Sequence, residues 1–376
     1  MRILVLTPGV FEKGGIARYN RYQINALQET FGPGSVQVMS LMGPDEDALE
    51  TPFDVTYAGS ARPTSLSRAI FAVYAVMKAL AFSPDVVLCG HVNMAPLAKQ
   101  LSRLSKAKFV LNVYARELWP KGGLRNSRRS ALLSADAVIS DCKNTVEYAN
   151  AKGLIGVEAH IVWDCVDQSR FFPQEPDWSS LKQYGIEQSN RFKVLFLGRI
   201  KHETIYKGFV RLLELGQNLP AERFELIFVG AGDYLETLRM QAAGISGGPK
   251  VTITGPVHEA HLVDIYRTAG AFYLVSNVDE GQGEGLPLTP IEAMACGVPA
   301  LVGNQDGSRE ILQGNGGWCG DPEDSWGQRE YIERLAADSA FYASERSAAL
   351  QRVIELFSYD IFREKTTNII KDVVAR

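Results

Sequence analysis

Short apolar runs alternate with helix-spaced apolar positions along almost all of the 376 residues. In the first half the strand-like runs are Ile3–Leu6, Val36–Leu41, Asp85–Leu88, Phe109–Val113, Ala137–Ser140 and Ala159–Val162. Helical periodicity fills the gaps; Ile16, Tyr19, Gln23, Ala26 and Leu27 share one face. The second half restarts with Val194–Leu197, Leu226–Val229, Val251–Thr254, Phe272–Val275 and Ala300–Val302. Such βα alternation predicts parallel sheets covered by helices on both faces. The pattern breaks between Asp167 and Arg191, where Pro173, Pro176, Trp178 and polar residues intervene. The expected fold is therefore α/β, with two Rossmann-like doubly wound domains, 1–168 and 169–358, facing across a cleft. Ligands in such sheets bind at the carboxyl ends of the strands. From Tyr359 to Arg376 the chain returns to a helical pattern (Ile361, Thr367, Ile369, Ile370, Val373, Val374).

Composition agrees with a globular protein of about two domains, at 46% hydrophobic and 22% charged residues. The first strand is too short for a signal-peptide core. The longest apolar stretch, Ala69 to Phe82, carries Lys78 and falls short of the ~20 residues a membrane span needs. Cys89, Cys142, Cys165, Cys296 and Cys319 have no metal-ligand spacing and are odd in number, so reduced thiols in cytosol are expected. Net charge of −4 divides unevenly: +3 through Gln168 and −7 beyond it. The positive half concentrates its cations between Lys99 and Arg129, with Glu117 the only acid among them. That stretch suits an anionic lipid surface or a phosphorylated acceptor, and equally a set of solvated helix faces. Aromatic residues are not interleaved with the cations, which argues against nucleic acid.

Candidate chemistry concentrates in Glu284-Gly-Leu-Pro-Leu-Thr-Pro-Ile-Glu292-Ala-Met-Ala-Cys-Gly297-Val-Pro299. Thr289 reads as a helix N-cap, Pro290 as the first helical residue and Glu292 as the N3 member of a capping box. Gly297 and Pro299 end the helix. Free N–H groups and a positive dipole end beside two carboxylates suit an anionic, polyhydroxylated ligand such as a nucleotide-sugar. Without a ligand, Glu292 is equally explained as a capping residue. The run resembles the E-x7-E signature of the retaining GT4 glycosyltransferases, which have the GT-B fold.

Other segments resemble the same family in the same order. Gly14-Gly15-Ile16-Ala17 follows the first strand and resembles the glycine loop that faces the donor diphosphate and the acceptor. Gly198-Arg199 and Lys207-Gly208 resemble the GR…KG motif, where two cations can neutralise a departing diphosphate; His202 and Glu203 lengthen this loop and leave the reach of Lys207 open. Val229-Gly230-Ala231-Gly232 and Thr254-Gly255-Pro256-Val257 resemble turns near the nucleotide, and also read as plain βα turns. Val113-Tyr114-Ala115-Arg116-Glu117-Leu118-Trp119 resembles the HGxExW segment with Tyr114 where the family carries histidine. His91, after the Asp85–Leu88 run, is a second candidate lining the cleft.

The resemblance implies a cytoplasmic enzyme, with a peripheral place at the membrane open to it, moving a hexose-type sugar from a nucleotide-diphosphate sugar to a hydroxyl. Its setting would be glycan, polysaccharide or glycolipid biosynthesis. Residues 1–168 would bind acceptor, 169–358 would bind donor, and the 359–376 helix would cross back to the first domain. Glu284, Arg199 and Lys207 would act at the reacting sugar and diphosphate. Glu292, Gly14, Gly15, Gly255, Val257, Leu286 and Leu288 would hold the donor, and Tyr114, His91 and Glu117 would stand near the sugar or acceptor. No cofactor or metal is implied. Two other readings fit fewer residues: a GT-B phosphorylase or hydrolase, and a non-catalytic nucleotide-sugar-binding regulator. Asp45-Glu46-Asp47 reads as a solvated acidic loop rather than a metal-binding DxD. Gly281-Gln-Gly283 lies too late for a dinucleotide fingerprint.

Overall fold

The computed structural model describes every residue except 47, 60–61, 119–123, 246, 279–282 and 313, and leaves the side chains of 115 and 116 undescribed. The chain forms two compact units, Met1–Cys165 with Tyr359–Arg376, and Val166–Ser358.

The first unit holds seven parallel strands: β1 (Ile3–Thr7), β2 (Val36–Ser40), β3 (Val55–Tyr57), β4 (Val86–Cys89), β5 (Lys108–Val113), β6 (Ala137–Ser140) and β7 (Ala159–Ile161). Their order is β3-β2-β1-β4-β5-β6-β7. Side chains alternate between faces along a strand, and β1 shows it: Leu4 and Leu6 join one core layer, Ile3 and Val5 the other. The helix Tyr359–Ala375 packs on Gly15–Phe31 and buries Phe362, Ile370 and Val373 in the second layer. Phe362 meets Tyr19 edge-on at 5.0 Å. Each fully buried large side chain of this kind stabilises by roughly 1.5–3 kcal/mol, which is ample to hold one helix to the unit.

The second unit holds β8 (Phe192–Leu197), β9 (Phe224–Val229), β10 (Lys250–Gly255), β11 (Ala271–Leu274), β12 (Ala300–Gly303) and β13 (Gly317–Gly320), in the order β10-β9-β8-β11-β12-β13. The hydropathy pattern found eleven of these thirteen strands and passed over β3 and β13. Both are sheet edges. β3 is only three residues and lacks a fully buried position, and β13 is Gly-Trp-Cys-Gly. Edge strands need little apolar content, so their signal is weak.

Candidate active site

In the second sheet β8 lies between β9 and β11. The chain leaves β8 toward one edge of the sheet and leaves β11 toward the other. At such a switch point an open parallel sheet forms a crevice at its carboxyl ends. The segment after β8 carries Arg199 and Lys207, and the segment after β11 carries Glu284.

Residues His202–Lys207, which include the insertion, fold as a 3₁₀ segment rather than an open loop. The Lys201 N–H donates to Thr204 Oγ1 at 3.0 Å, and Thr204 and Tyr206 are buried. Gly208 follows with φ +88°, and a Cβ there would stand 2.4 Å from the Val275 carbonyl oxygen. Only glycine tolerates both conditions. The Asn277 N–H donates to the Tyr206 carbonyl at 2.9 Å, tying this segment to the one after β11. Lys207 is therefore fixed, and its Nζ stands 2.8 Å from Glu284 Oε1, with both side chains only 13–14% exposed.

Glu284 is held through its backbone as well. Its N–H donates to Asp306 Oδ2 at 2.8 Å, and its carbonyl accepts from Gly307 at 3.1 Å. Asp306 Oδ1 accepts from the Ser308 N–H at 2.9 Å. Asp306 is fully buried, which pushes its carboxyl upward against the hydrogen bonds that pull it down. The sequence reading did not single out Asp306. Its signal was an Asp-Gly-Ser turn two residues after β12, the pattern of a side chain that caps its own backbone.

Burial on its own would raise the Glu284 carboxyl. The Lys207 ammonium, hydrogen bonds from Lys207 and Tyr206, and the Arg199 charge outweigh that effect and hold it below the usual carboxylate range. Glu284 is thus an ionised acceptor at neutral pH. A depressed native pKa contributes stability above the unfolded value and loses it as pH falls through the native one. The expected result is a gap in urea midpoint between wild type and Glu284→Gln that is full near neutrality and shrinks once pH drops below the ordinary value of 4.5. A gap that is independent of pH would refute an ionised Glu284.

Glu292 corrects the capping prediction. The helix spans Leu288–Ala295 with Pro287 at its N-cap, in extended backbone (φ −74°, ψ 133°), and no side-chain cap bond. Thr289 is therefore not the cap, and Pro290 is the third helical residue rather than the first. The first N–H groups of a helix have no partner inside it, so proline costs nothing there and the helix starts two residues early. Glu292 then lies beyond capping reach. Its carboxylate is 4% exposed, and Oε2 accepts from the Tyr266 hydroxyl at 2.5 Å. Leu286 is buried just before this helix, and Leu288 opens it. Gly255 ends β10 at φ +73°, with its carbonyl accepting from Gly230, and Val257 is half-buried. Arg199 is half-exposed, its Nη1 3.7 Å from Glu203.

The first sheet has the same kind of switch point, with β1 between β2 and β4. Gly14 caps the helix Gly15–Phe31, with no side-chain cap bond and no acid in the first turn. Arg21, which sequence reasoning missed, reaches back from that helix. Its Nη1 donates to the carbonyls of Val10 at 2.7 Å and Glu12 at 2.9 Å, and so holds the loop that presents the two glycines. After β4, His91 Nδ1 accepts from the Asn93 N–H at 3.0 Å while Nε2 stands 2.6 Å from Glu117 Oε1. A donor at Nδ1 leaves the ring proton on Nε2, facing the carboxylate. Tyr114 is 5% exposed and packs edge-on to Tyr19 at 5.6 Å. Burial raises its hydroxyl pKa well above the usual value. The three candidates thus stand together, with Tyr114 inside the core and the imidazole supplied from β4. Trp119, Asp47, Gly281 and Gln282, which complete three of the quoted segments, lie outside the described residues. Among the described residues no group of three or more His, Cys, Asp or Glu could hold a metal ion.

Residues 180–352 match the family described as Glycosyl transferases group 1. This segment, just under half of the chain, resembles a group 1 glycosyl transferase domain. It contains Arg199, Lys207, Glu284 and Glu292. A relative from Corynebacterium glutamicum, a GDP-mannose-dependent monoacylated alpha-(1-6)-phosphatidylinositol monomannoside mannosyltransferase, is 28% identical over 210 residues. That stretch covers 55% of this chain and 54% of the relative, so the match spans about half of each. Anabaena HepE in complex with UDP superposes with a TM-score of 0.77 at 16% identity, covering 99% of this chain and 100% of HepE. Sucrose-phosphate synthase from Thermosynechococcus elongatus gives 0.76 at 17% identity over 100% of both chains. At these identities the solved structures establish the fold alone, the two-domain GT-B fold.

Proposed function

We propose that the chain transfers a hexose-type sugar from a nucleoside-diphosphate sugar to an acceptor hydroxyl, with retention and without a metal. The observation that carries this reading is the largely shielded Lys207–Glu284 pair at the switch point of the second sheet. A carboxylate held ionised accepts sugar hydroxyls, and a cation beside it meets the charge on the phosphate to which that sugar is attached. The C1–O bond to the diphosphate breaks as the acceptor oxygen attacks the same face. The acceptor's proton passes to the leaving phosphate oxygen. Lys207 and Arg199 would stabilise the negative charge that develops there, preorganised and partly shielded from water. The N–H groups that open Gly15–Phe31 would offer further donors to phosphate.

The test is release of nucleoside diphosphate by the full chain, given UDP-glucose or GDP-mannose with a panel of glycan and glycolipid acceptors. UDP bound to HepE and the GDP-mannose dependence of the C. glutamicum relative set that panel. Turnover is expected to need an acceptor and to survive a chelator. Cleavage that requires inorganic phosphate would make the chain a phosphorylase, and activity restored only by manganese would end the metal-free reading.

Glu292 is assigned to the ribose hydroxyls of the donor. Glu292→Ala is expected to weaken binding of the free nucleotide by at least tenfold in calorimetry. The same change strands the buried Tyr266 hydroxyl, at a stability cost of about 1–3 kcal/mol. Glu292→Gln keeps an acceptor for Tyr266, so nucleotide binding lost in both variants while only Ala lowers stability marks a ligand contact. Unchanged nucleotide affinity in both refutes the assignment.

A further inference from the structure

The helix Ser65–Phe82 starts cleanly, with Thr64 Oγ1 accepting from the Ser67 N–H at 3.2 Å, and begins four residues before the apolar run suggested. By length and composition it could cross a membrane. It does not stand free, because Phe71, Ala75 and Ala79, one residue per turn, are buried in the first unit's core. At 100° per residue those three define one side of the helix. Leu66, Ile70, Val73, Tyr74, Met77 and Leu80 fall on the opposite side and are 38–70% exposed. Both cations of the helix, Arg68 and Lys78, flank the buried seam, so no charge interrupts the outer face. An uninterrupted apolar face of about four turns is larger than scattered surface residues account for.

The surroundings say what covers it. Between residues 55 and 135 the sequence has twelve Lys and Arg against two acids. Both acids are engaged: Asp85 accepts from the Arg2 N–H at 2.7 Å, and Glu117 faces His91. The helix Ala95–Ser105 packs beside Ser65–Phe82 and presents exposed Arg103 and Lys106, with Leu104 49% exposed. The next helix, Asn126–Leu132, packs on that one and adds exposed Arg129. Lys99 Nζ is tied to the Ser130 carbonyl at 3.0 Å and keeps its charge there. Asp54, which shares a surface hollow with Lys78, is an exposed carboxylate beside this helix; the cations outnumber it, and an apolar face among them is complementary to one occupant, the surface of an anionic bilayer. A second copy of the chain would bring the same cations against themselves.

We infer that the outer face of Ser65–Phe82 lies in the interface of an anionic membrane, with Arg103, Lys106 and Arg129 on the lipid headgroups. The packed seam keeps the helix on the surface rather than across it. This inference stands apart from the transfer reaction and is tested without substrate. The full chain is floated with vesicles of phosphatidylcholine alone, and with phosphatidylcholine plus phosphatidylglycerol, at low and high salt. Binding is expected only with phosphatidylglycerol and is expected to weaken with salt. Val73→Glu with Met77→Glu should abolish it, and Arg103→Gln with Lys106→Gln should lower it roughly tenfold or more. Both pairs are at exposed positions, so the thermal unfolding midpoint should not move. Failure of the wild type to float with phosphatidylglycerol, or equal flotation of Val73→Glu/Met77→Glu, overturns the proposal. So does a dimer in sedimentation that this variant dissolves, with no lipid binding, since a second copy would then own the face.

Discussion

Lys207→Ala is expected to lower turnover by about 10²–10³, the ~2.7–4 kcal/mol that one preorganised charge stabiliser contributes to a transition state. The same change removes the cation from a carboxylate that is only 14% exposed. Breaking a buried pair on one side typically costs about 3–5 kcal/mol; the residual exposure of Glu284 places this case at or below the lower end. Loss of activity could then be mistaken for loss of fold. Lys207→Ala combined with Glu284→Gln separates the two, because the lone charge is gone. Its urea midpoint should recover toward wild type while turnover falls well below that of Glu284→Gln alone, the reference because Glu284 itself contacts the sugar. A double variant no slower than Glu284→Gln would reduce Lys207 to a partner that neutralises Glu284, and the phosphate assignment would fall.

Arg199→Ala is the second large effect and the cleaner one. Its guanidinium is half-exposed and meets Glu203, four residues on, at 3.7 Å. Exposed pairs of this kind contribute about 0.2–1 kcal/mol, so stability should hardly change. Turnover should nevertheless fall by roughly 10² or more if the guanidinium meets the departing diphosphate. Arg199→Lys keeps a charge but loses the planar fork that fits phosphate, and should lie between wild type and Ala. Steady-state rates at saturating donor decide it. Turnover of Arg199→Ala within a few-fold of wild type would exclude the residue from the chemistry.

Much of this molecule was legible in its residue order. Buried parallel strands are short apolar runs, and eleven of thirteen announced themselves. Arg199, Lys207 and Glu284 were singled out by resemblance to family motifs, which are runs of nearby residues and so local information; the fold brings Lys207 and Glu284 to 2.8 Å of each other. The start of the Leu288–Ala295 helix was not legible. Capping rules and the tolerance of free N–H groups for proline both act there, and a sequence does not say which prevails.

Nor did the sequence contain the partners of the buried polar groups. Tyr266 comes to Glu292 from 26 residues away, and Asp306 comes to Glu284 from 22. His91 and Glu117 meet because β4 and β5 are neighbours. Each buried carboxylate needs a donor, but many donors in the chain could serve, and only the sheet order selects one. The same division applies to Ser65–Phe82. Its apolar residues state that burial would be favourable; folding gives one side a neighbour and leaves the other without. Local propensity and periodicity depend on residues within a few positions of each other, and those the sequence determines. Which face meets which element depends on contacts between distant segments, and only the tertiary structure decides that.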